Sequence, residues 1–294
     1  MNAVDLVFLG TGGGRFVTYT QRRWTGGIRL ICEGLHVHLD PGPGAIVRSV
    51  DAGLSSEKVK LLLVSHSHLD HYADAEIFIE GMTKGTTRRS GTLVAPRSVL
   101  QGNGEVERSI SDYHQSLVRG VVEAHPGDSF NAEGLAVRVT RAVHTEPSAV
   151  GYVLDVPKIG GVGYTSDTEF FDGMTDSYKG LSILILCVLR PRGSPLRGHL
   201  STDDAKEIIN TAKPKVAVLT HFGMKMLNAN PSLEAAYIQN STQVRTIAAT
   251  NGMVISIDDG AISLGNVRTR RSPNVKKSVA GQRYYDIRKQ ASMS

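Results

Sequence analysis

The segment at residues 65–71, which reads SHSHLDH, constrains this chain more than any other. It follows directly on the apolar run Leu61–Val64, and an unbroken apolar run of this kind is typical of a strand buried on both faces. The polar side chains that follow such a strand turn into a cleft at its end. His66 and His68 are two residues apart, so strand alternation points both imidazoles to the same side.

Asp70 and His71 lie further round the same turn, where they can face a second point in the cleft. Four side chains of ligand type within six positions are costly to crowd together unless a metal ion binds them. Imidazole and carboxylate suit a borderline divalent ion such as Zn²⁺. The alternative is a cluster of surface histidines, but the spacing favours a metal site.

Length and composition predict a soluble protein with a large core. A chain of 294 residues buries roughly 75% of the surface that its unfolded form exposes, so it needs no disulfide to stay folded. The two cysteines, Cys32 and Cys187, are too few for a secreted disulfide framework. We find no signal-peptide pattern at residues 1–10, and no apolar run approaches the roughly 20 residues of a membrane helix. We therefore expect a cytoplasmic location.

The net charge of +5 belongs to the end of the chain. Residues 266–294 contain eight lysines and arginines against one acid, Asp286, whereas residues 1–265 contain 25 basic and 27 acidic side chains. Such a basic tail can bind nucleic acid through phosphate contacts, or it can be a solvated or docking segment. We accordingly divide the chain into a domain at 1–265 and a basic C-terminal tail at 266–294.

Turn residues separate short β-branched runs along most of the chain, with helical patterns between some of them. This order, without repeats or a long linker before about residue 265, predicts an α/β sandwich of mixed sheets covered by helices. We predict helices at Ala45–Ala52, around Asn103–Asp112, and from Ser201 through Asn210. We predict strands at Val4–Leu9, Ile28–Cys32, His36–Leu39, Lys60–Val64, Leu93–Ala95, Ser116–Val122, Leu135–Ala142, Ala149–Val156, Val162–Thr165, Ile183–Leu189, Val216–Thr220, Ile247–Ala249 and Met253–Ile257.

The SHSHLDH segment matches the HxHxDH signature of the metallo-β-lactamase superfamily, and later segments resemble that family's remaining ligands in the same order. VHT at 143–145 resembles its next histidine, YTSDT at 164–168 its strand-end aspartate, and LTHFG at 219–223 its last histidine. The resemblance covers roughly residues 4–260. It implies the αββα fold, a four-layer sandwich of two mixed β-sheets flanked by helices, with metals at one edge between the sheets.

Carried over onto this sequence, the resemblance implies a centre of two divalent metal ions, with Zn²⁺ favoured and Mn²⁺ or Fe²⁺ as alternatives. One ion would be held by three histidines and the other by an aspartate and two histidines, with a second aspartate bridging them. In that order, the implied ligands are His66, His68 and His144, then Asp70, His71 and His221, with Asp167 as the bridge.

Two further segments fit the same resemblance. Asp40 falls where the family places an aspartate behind the metal histidines, and a carboxylate there fixes the orientation of an imidazole. The alternative is an aspartate that only begins a Pro-Gly turn. The glycine run Gly10–Gly14 lacks the ending of a phosphate-binding loop, and Arg15 stands in place of the third glycine of a dinucleotide fingerprint. We interpret the run as a turn that lets the backbone pass close to the site.

His199, 22 residues before His221, resembles the extra histidine of the phosphodiesterase branches, which include ribonuclease Z and the cyclic phosphodiesterases. In that pattern the histidine reaches over the metals toward the phosphoryl group. Ribonuclease Z typically carries a glutamate upstream that pairs with it, whereas the strand end here reads LCVLRP at 186–191. The sequence also lacks a long Gly/Pro-rich arm that would grip tRNA. Both absences argue against tRNA 3′ processing but leave a smaller nuclease open.

The resemblance implies hydrolysis of a small or cyclic phosphodiester, or of RNA, with Asp70 and His199 as catalytic residues. Asp70 or Asp167 would take the proton of the attacking water, and His199 would stabilise the developing charge or protonate the leaving oxygen. Arg190 and Arg197 are candidates for binding phosphate oxygens. The alternatives are a thioester or lactone hydrolase of the same fold, and a non-catalytic RNA-binding module with a basic tail. Dimers are common among the families it resembles, so a homodimer is a further expectation.

Overall fold

The structure is a computed structural model that describes residues 4–104, 106–258 and 260–267. The strands are β1 (Val4–Phe8), β2 (Ile28–Cys32), β3 (Leu35–Leu39), β4 (Val59–Leu63), β5 (Thr92–Ala95), β6 (Gly120–Glu123), β7 (Ser129–Ala132), β8 (Leu135–Arg141), β9 (Val150–Val156), β10 (Gly160–Tyr164), β11 (Ile183–Arg190), β12 (Leu200–Ser201), β13 (Val216–Thr220), β14 (Arg245–Ala248), β15 (Met253–Asp258) and β16 (Ala261–Asn266). The helices are α1 (Arg15–Thr20), α2 (Ala45–Asp51), α3 (Leu69–Tyr72), α4 (Ala75–Met82), α5 (Arg97–Leu100), α6 (Asp112–Leu117), α7 (Thr202–Ala212), α8 (Met224–Ala229) and α9 (Pro231–Thr242), with 3₁₀ turns at Ser56–Lys58 and Met174–Tyr178.

Two eight-stranded sheets form the centre of the fold. The first has the order β16-β15-β1-β2-β3-β4-β5-β6, and the second has the order β14-β13-β11-β10-β9-β8-β7 with β12 paired to β11. In each sheet one half is antiparallel, while β3 to β6 and β10, β11, β13 and β14 pair in parallel. Both sheets are therefore mixed, as predicted.

The core lies in three apolar layers that the strand alternation explains. Leu61 and Leu63 of β4 point between the two sheets, while Leu62 and Val64 point outward to α2 and α4. In β11, Ile183 and Ile185 face the space between the sheets, while Leu184 and Leu186 pack on α7 and α9. A strand with helices on one side and a sheet on the other must be apolar throughout. The predicted αββα sandwich is confirmed.

Several predicted elements are found close to their predicted bounds. The helix predicted at Ala45–Ala52 is α2, and Gly53 follows it with a positive φ of 71°, as a C-terminal stop requires. The helix predicted from Ser201 is α7. It begins with a capping box, in which Ser201 accepts from the Asp204 backbone N–H and the Asp204 carboxylate accepts from the Ser201 N–H.

The region between β5 and β6 differs from the prediction. Where a helix was predicted around Asn103–Asp112, the described residues before α6 form a loop, because Gly102 and Gly104 take left-handed φ values of 81° and 92°. The helix there is α6, which Ser111 caps by accepting from the His114 N–H. The strand predicted at Ser116–Val122 was therefore wrong in its first residues, since β6 begins only at Gly120. The prediction also missed the helices α4 and α9 and the strands β7 and β16.

The end of the chain is described only in part. β16 ends at Asn266, one residue beyond the predicted domain boundary, and residues 268–294, which hold the predicted basic tail, lie outside the described residues. Within the described part of the chain, no helix has the length and apolar character needed to cross a bilayer. The cytoplasmic location, the homodimer and the division at residue 265 stay predictions.

Candidate metal centre

The sequence-predicted ligands meet at one edge of the sandwich, where four strands end. His66, His68, Asp70 and His71 follow β4, His144 follows β8, Asp167 follows β10, and His221 follows β13. Polar groups at strand ends can enter the crevice between two sheets without interrupting the ladders. The seven side chains predicted as ligands are thus brought together from distant parts of the sequence.

His66, His68 and His144 form the first cluster. Nε2 of His66 lies 3.0 Å from Nδ1 of His68, and Nε2 of His144 lies 3.1 Å from the same Nδ1. Three imidazole nitrogens at such short distances from one another fit the corner of a metal coordination sphere.

Asp70, His71 and His221 form the second cluster. Nε2 of His71 lies 3.1 Å from Nε2 of His221, and Oδ2 of Asp70 lies 3.3 Å from the same His221 nitrogen. The ligand atoms of this trio all lie within 4.8 Å of one another. Two imidazoles and one carboxylate are a common donor set for divalent metals.

Asp167 lies between the two clusters. Its Oδ2 is 3.7 Å from Nε2 of His71 and 3.9 Å from Nε2 of His144, and its Oδ1 is 3.1 Å from Nδ1 of His221. Although they lie 3.1 Å apart, the buried atoms Asp167 Oδ1 and His221 Nδ1 do not have the geometry of a hydrogen bond with each other, and neither bonds to another described residue. Buried polar atoms are rarely left without a partner. The donor set and these two atoms therefore fit metal ions at this edge.

Asp40 orients the imidazoles from behind, as its position in the sequence predicted. Nδ1 of His71 donates to Asp40 Oδ2 at 2.7 Å, and the hydroxyls of Ser65 and Tyr164 donate to the same oxygen. Because the Ser65 hydroxyl donates to Asp40, its oxygen is free to accept from Nδ1 of His66 at 3.0 Å. Both imidazoles consequently direct Nε2 toward the clusters, and this nitrogen is the one free to bind a metal ion when the ring is neutral. Sequence reasoning did not identify the contributions of Ser65 and Tyr164.

The backbone is strained where three of these residues enter the site. Asp40, Ser166 and His221 have φ values of 52°, 57° and 61°, in the left-handed region. Each conformation costs of order 1–3 kcal/mol for a residue with a side chain, and such costs concentrate at functional sites. Asp40 and His221 directly follow β3 and β13, and Ser166 directly precedes Asp167, so the strained positions lie where the chain enters the site.

The glycine run fits closely around the second cluster. A Cβ on Gly13 would lie 2.3 Å from ring atoms of His221, so only glycine lets the backbone pass flat against this imidazole. The backbone N–H of Gly14 donates to Asp70 Oδ2 at 3.0 Å. The prediction of a turn passing close to the site is confirmed, and α1 begins immediately after it.

The charges of the site favour metal ligands in their reactive forms. Burial alone would raise the pKa of Asp70, but the facing His71 and His221 hold that pKa below its ordinary value. Asp167 is also buried, and the same two imidazoles hold its pKa well below the ordinary range. Burial and the neighbouring His71 lower the pKa of His66 well below its usual value. The carboxylates are therefore ionised and His66 is neutral near pH 7, as metal binding requires.

Cys187 also lies near Asp167 and His221, but it has the character of a core residue. Burial and the Asp167 carboxylate raise the pKa of its thiol well above the ordinary value, and only a thiolate binds metal strongly. The sequence interpretation of Cys187 as a small hydrophobic residue therefore fits its position in the inter-sheet core.

His199 reaches the same edge from the segment between β11 and β12. Its Nδ1 lies 3.5 Å from Oδ2 of Asp167, and burial lowers its pKa to about 4. Glu169 holds this segment in place, because its carboxylate accepts from the Gly198 N–H at 2.7 Å while the Gly198 carbonyl accepts from Nδ1 of His144. Glu169 was missed in the sequence, where nothing but its place two residues after Asp167 distinguished it.

A cleft of about 1000 Å³ opens in front of the clusters. One side carries exposed apolar side chains, Phe16, Tyr19, Leu69 and Leu196. The polar groups that face the cleft include Arg15, Asp70, Asp167, Arg190, His199 and Lys225. Nε of Arg190 is buried and has no partner in the described structure, whereas Arg197 is exposed and does not line the cleft. Of the two arginines that the sequence suggested, Arg190 alone faces the site.

The family model of the β-lactamase superfamily domain matches residues 36–222, which include the strand end at 65–71 and the final histidine. The chain belongs to the β-lactamase superfamily. The family match confirms the sequence prediction of a metal-dependent hydrolase. It does not identify the bond that the protein cleaves.

Several known proteins are similar to the chain over most of its length. An uncharacterised protein of Methanocaldococcus jannaschii is 39% identical over 259 residues, which are 87% of this chain and 96% of that protein. The ribonuclease Z of Sulfolobus acidocaldarius is 22% identical over 286 residues, covering 79% of this chain and 92% of its own. A solved diphosphatase of the PhnP family superposes with a TM-score of 0.63 at 19% identity, over 87% of this chain and 98% of its own, and this likeness concerns the fold alone.

Proposed function

We propose that this superfamily member is a dinuclear metal-dependent phosphodiesterase that cleaves a small or cyclic phosphodiester, or RNA. The observation that carries the proposal is that His199 and Arg190 face the same cleft as Asp167 and the two ligand clusters. A phosphodiester is an anion whose charge spreads over its oxygens during hydrolysis. A donor imidazole and a guanidinium are suited to that charge. The similarity to a protein named ribonuclease Z supports the same class.

In this proposal, seven residues would bind the two metal ions. His66, His68 and His144 would hold one ion, Asp70, His71 and His221 the other, and Asp167 both. Divalent ions in such a pair supply a bound water of lowered pKa and a positive clamp on phosphoryl oxygens.

The ionised carboxylates of Asp70 and Asp167 are at hand to accept the water's proton, and the Gly14 N–H keeps one Asp70 oxygen in place. His199 lies above Asp167, where it donates to the phosphoryl or leaving oxygen. Arg190 binds an oxygen that does not react.

Hydrolysis of a thioester or lactone is the second candidate, and the apolar side of the cleft favours it. Phe16 and Tyr19 of α1 are 66% and 70% exposed, with their ring centroids 5.7 Å apart. Such a surface binds the organic part of a substrate, whether a nucleobase or an acyl chain. The nucleophile of a two-metal site attacks carbon as well as phosphorus, so the leaving group must be tested directly.

The test is a substrate panel with protein of measured metal content. We would compare bis(4-nitrophenyl) phosphate, a 2′,3′-cyclic nucleotide, a 12-nucleotide RNA and an acyl thioester by kcat/KM. We expect the phosphodiesters to exceed the thioester by about 100-fold or more. A thioester that is turned over faster than every phosphodiester would contradict the proposal.

Two arginine variants test the contact with phosphate, one at the cleft and one as a matched control elsewhere. Arg190→Met should lower kcat/KM for the phosphodiesters by about tenfold or more while the thioester rate changes little. Arg138→Met, at an exposed position on β8, should leave all rates unchanged. Equal loss on every substrate would assign Arg190 a structural role instead.

Removal of the basic tail tests the third alternative, an RNA-binding module with an inactive site. A variant without residues 268–294 should keep its turnover of the small phosphodiester if the metal centre does the chemistry. An RNA-binding module would give a different result. The full-length protein would bind RNA but turn over no substrate, and the variant would lose the RNA affinity.

A further inference from the structure

A second cavity, which is lined by basic side chains, lies at the opposite end of the first sheet from the metal centre. It has a volume of about 370 Å³, and its charged lining consists of Lys58, Lys60, Lys84 and Arg88 against the single acid Glu57. It opens at the beginning of β3 and β4, whereas the metal ligands follow the end of β4. The four residue steps from His36 to Asp40 along β3 place the two sites about 13 Å apart or more. The cavity is therefore separate from the hydrolytic cleft.

Three of the four cations in the cavity have no acidic partner among the described residues. Lys84 pairs with Glu57 at 3.6 Å, and Lys60 donates to the Ser90 hydroxyl at 2.7 Å. Lys58 and Arg88 form no ion pair with any residue that the structure describes. Unpaired cations around a concave surface concentrate positive potential there, which favours an anion over a single solvent-exposed lysine.

His36 gives this cavity a fixed hydrogen-bond donor. It is only 7% exposed and lines the cavity, and its Nδ1 lies 3.4 Å from the Arg29 guanidinium. A guanidinium only donates, so Nδ1 of His36 must accept and the ring proton must be on Nε2. That Nε2–H has no hydrogen-bond partner among the described residues, and it belongs to a side chain on the cavity wall.

Arg29, behind His36, is a buried cation without a carboxylate. Its side chain is 0% exposed, and its contacts are all neutral: Nδ1 of His38 at 3.1 Å, the Ser49 hydroxyl at 3.3 Å, the Ser55 carbonyl at 3.4 Å and His36. Burial lowers its pKa to about 9, which still leaves it charged near pH 7. An uncompensated buried charge is unfavourable unless an opposite charge approaches it. The cavity that His36 lines lies on the other side of this imidazole, and an anion can approach Arg29 from there.

We propose that this cavity is a binding site for a phosphate group, separate from the metal centre. The phosphate oxygens accept from Nε2–H of His36 and from Lys58 and Arg88, and their charge offsets that of Arg29 behind the imidazole. A phosphate has the number of acceptor oxygens and the charge that these donors match. The volume accommodates the phosphate of a small molecule or one phosphate of a nucleic-acid backbone. The site does not depend on the hydrolytic function proposed above.

The test follows His36 directly by NMR. Metal-loaded full-length protein with labelled histidine rings is titrated with inorganic phosphate at pH 7.5, and sodium chloride of equal ionic strength serves as the reference titration. The His36 signals are assigned with His36→Gln. We expect a saturable shift of the His36 signals with phosphate and none with chloride. Because His36 reports only on its own cavity, phosphate bound at the metal centre does not interfere.

A pair of double variants tests which residues bind the anion. Lys58→Gln with Arg88→Gln should weaken the phosphate titration at His36 by about tenfold or more, and it should leave turnover at the metal centre unchanged. Lys215→Gln with Arg245→Gln, at exposed positions by the second sheet, removes the same charge and should leave the titration unchanged. An equal effect of both pairs, or an equal response to chloride, would mean screening by net charge and would overturn the proposal.

A last arm identifies the source of the phosphate. We would titrate His36 with a 12-nucleotide oligouridylate. A shift at a concentration at least tenfold below that of inorganic phosphate, absent from the Lys58/Arg88 variant, would assign the site to a nucleic-acid backbone. A weaker response to the oligonucleotide than to inorganic phosphate assigns it to a small phosphate compound. The absence of a saturable His36 response to either probe would overturn the proposal.

Discussion

Asp40 Oδ2 and His71 Nδ1 lie 2.7 Å apart, and both side chains are almost completely buried. The carboxylate, together with those of Asp70 and Asp167, raises the pKa of His71 well above its ordinary value, although burial acts in the opposite direction. The hydrogen bond from Nδ1 to this one acidic residue turns Nε2 of His71 toward the second ligand cluster. The same carboxylate oxygen also accepts from Tyr164, which belongs to the other sheet.

Asp40→Asn should reduce metal binding at the second cluster. The amide can donate where the carboxylate only accepts, so His71 loses a strong acceptor and its ring orientation is no longer fixed. We expect the affinity for one metal ion per chain to fall by about 10- to 100-fold. Metal analysis after dialysis against a weak chelator measures the change. Asp155→Asn, at an exposed position of β9, is the control, and equal metal contents in the two variants would contradict this role of Asp40.

Gly13→Ala should displace His221. The new methyl group would lie 2.3 Å from the imidazole, and the backbone on the other side leaves little room for adjustment, because the Gly13 N–H donates to the Phe222 carbonyl. We expect turnover to fall by about tenfold or more, since a shift of about 1 Å in a catalytic centre has effects of this size. Gly265→Ala, on the outer strand β16 with no atom near its added Cβ, should leave turnover unchanged. Full activity of Gly13→Ala would show that His221 tolerates the shift.

Asp70→Ala and His199→Ala should separate metal binding from chemistry. Asp70→Ala should lose an ion and abolish phosphodiester hydrolysis while the circular dichroism spectrum stays that of the folded protein. His199→Ala should keep both ions but turn over about 100-fold or more slowly, because it removes a donor that acts on developing charge. His125→Ala, an exposed histidine after β6, is the control. Loss of metal in His199→Ala would make this histidine a ligand, and full activity of Asp70→Ala would contradict the two-metal centre.

His36 should make the stability of the fold depend on pH. Burial, followed by the Arg29 and Lys58 charges, lowers its pKa to about 4 in the folded protein, whereas an unfolded chain has a histidine pKa near 6.5. Between these values the unfolded state binds a proton that folded His36 does not bind. The free energy of unfolding therefore falls as the pH drops from 6.5 to 4, and this contribution is fully present above 6.5.

Urea unfolding of the wild type and His36→Gln at several pH values measures this contribution. The stability difference, wild type minus variant, should increase from pH 4 to 6.5 and stay constant at higher pH. His125→Gln removes an exposed histidine and should give a difference without this dependence. A constant difference for His36→Gln across the whole range would contradict the lowered pKa.

The sequence alone determined those features that local chemistry dictates. The apolar run at Leu61–Val64 and the ligand spacing at 65–71 required a buried strand that ends in a polar crevice. The capping residues Ser201 and Asp204 required the start of α7. Such signals lie within a few residues of one another, so a single stretch of sequence contains them completely.

Only the tertiary structure decided which distant residues meet. His71 and His221 are 150 positions apart and Asp40 and Tyr164 are 124 apart, so neither contact has a local signature. The helix α9 escaped prediction because the buried Glu234, which pairs with Arg192 through tertiary contact, interrupts its apolar face. Arg29 and His36 look like ordinary residues of exposed strands in the sequence. Their burial, and the cavity beside them, arise because α2, α4 and the turn at Ser56–Lys58 cover this face of the first sheet.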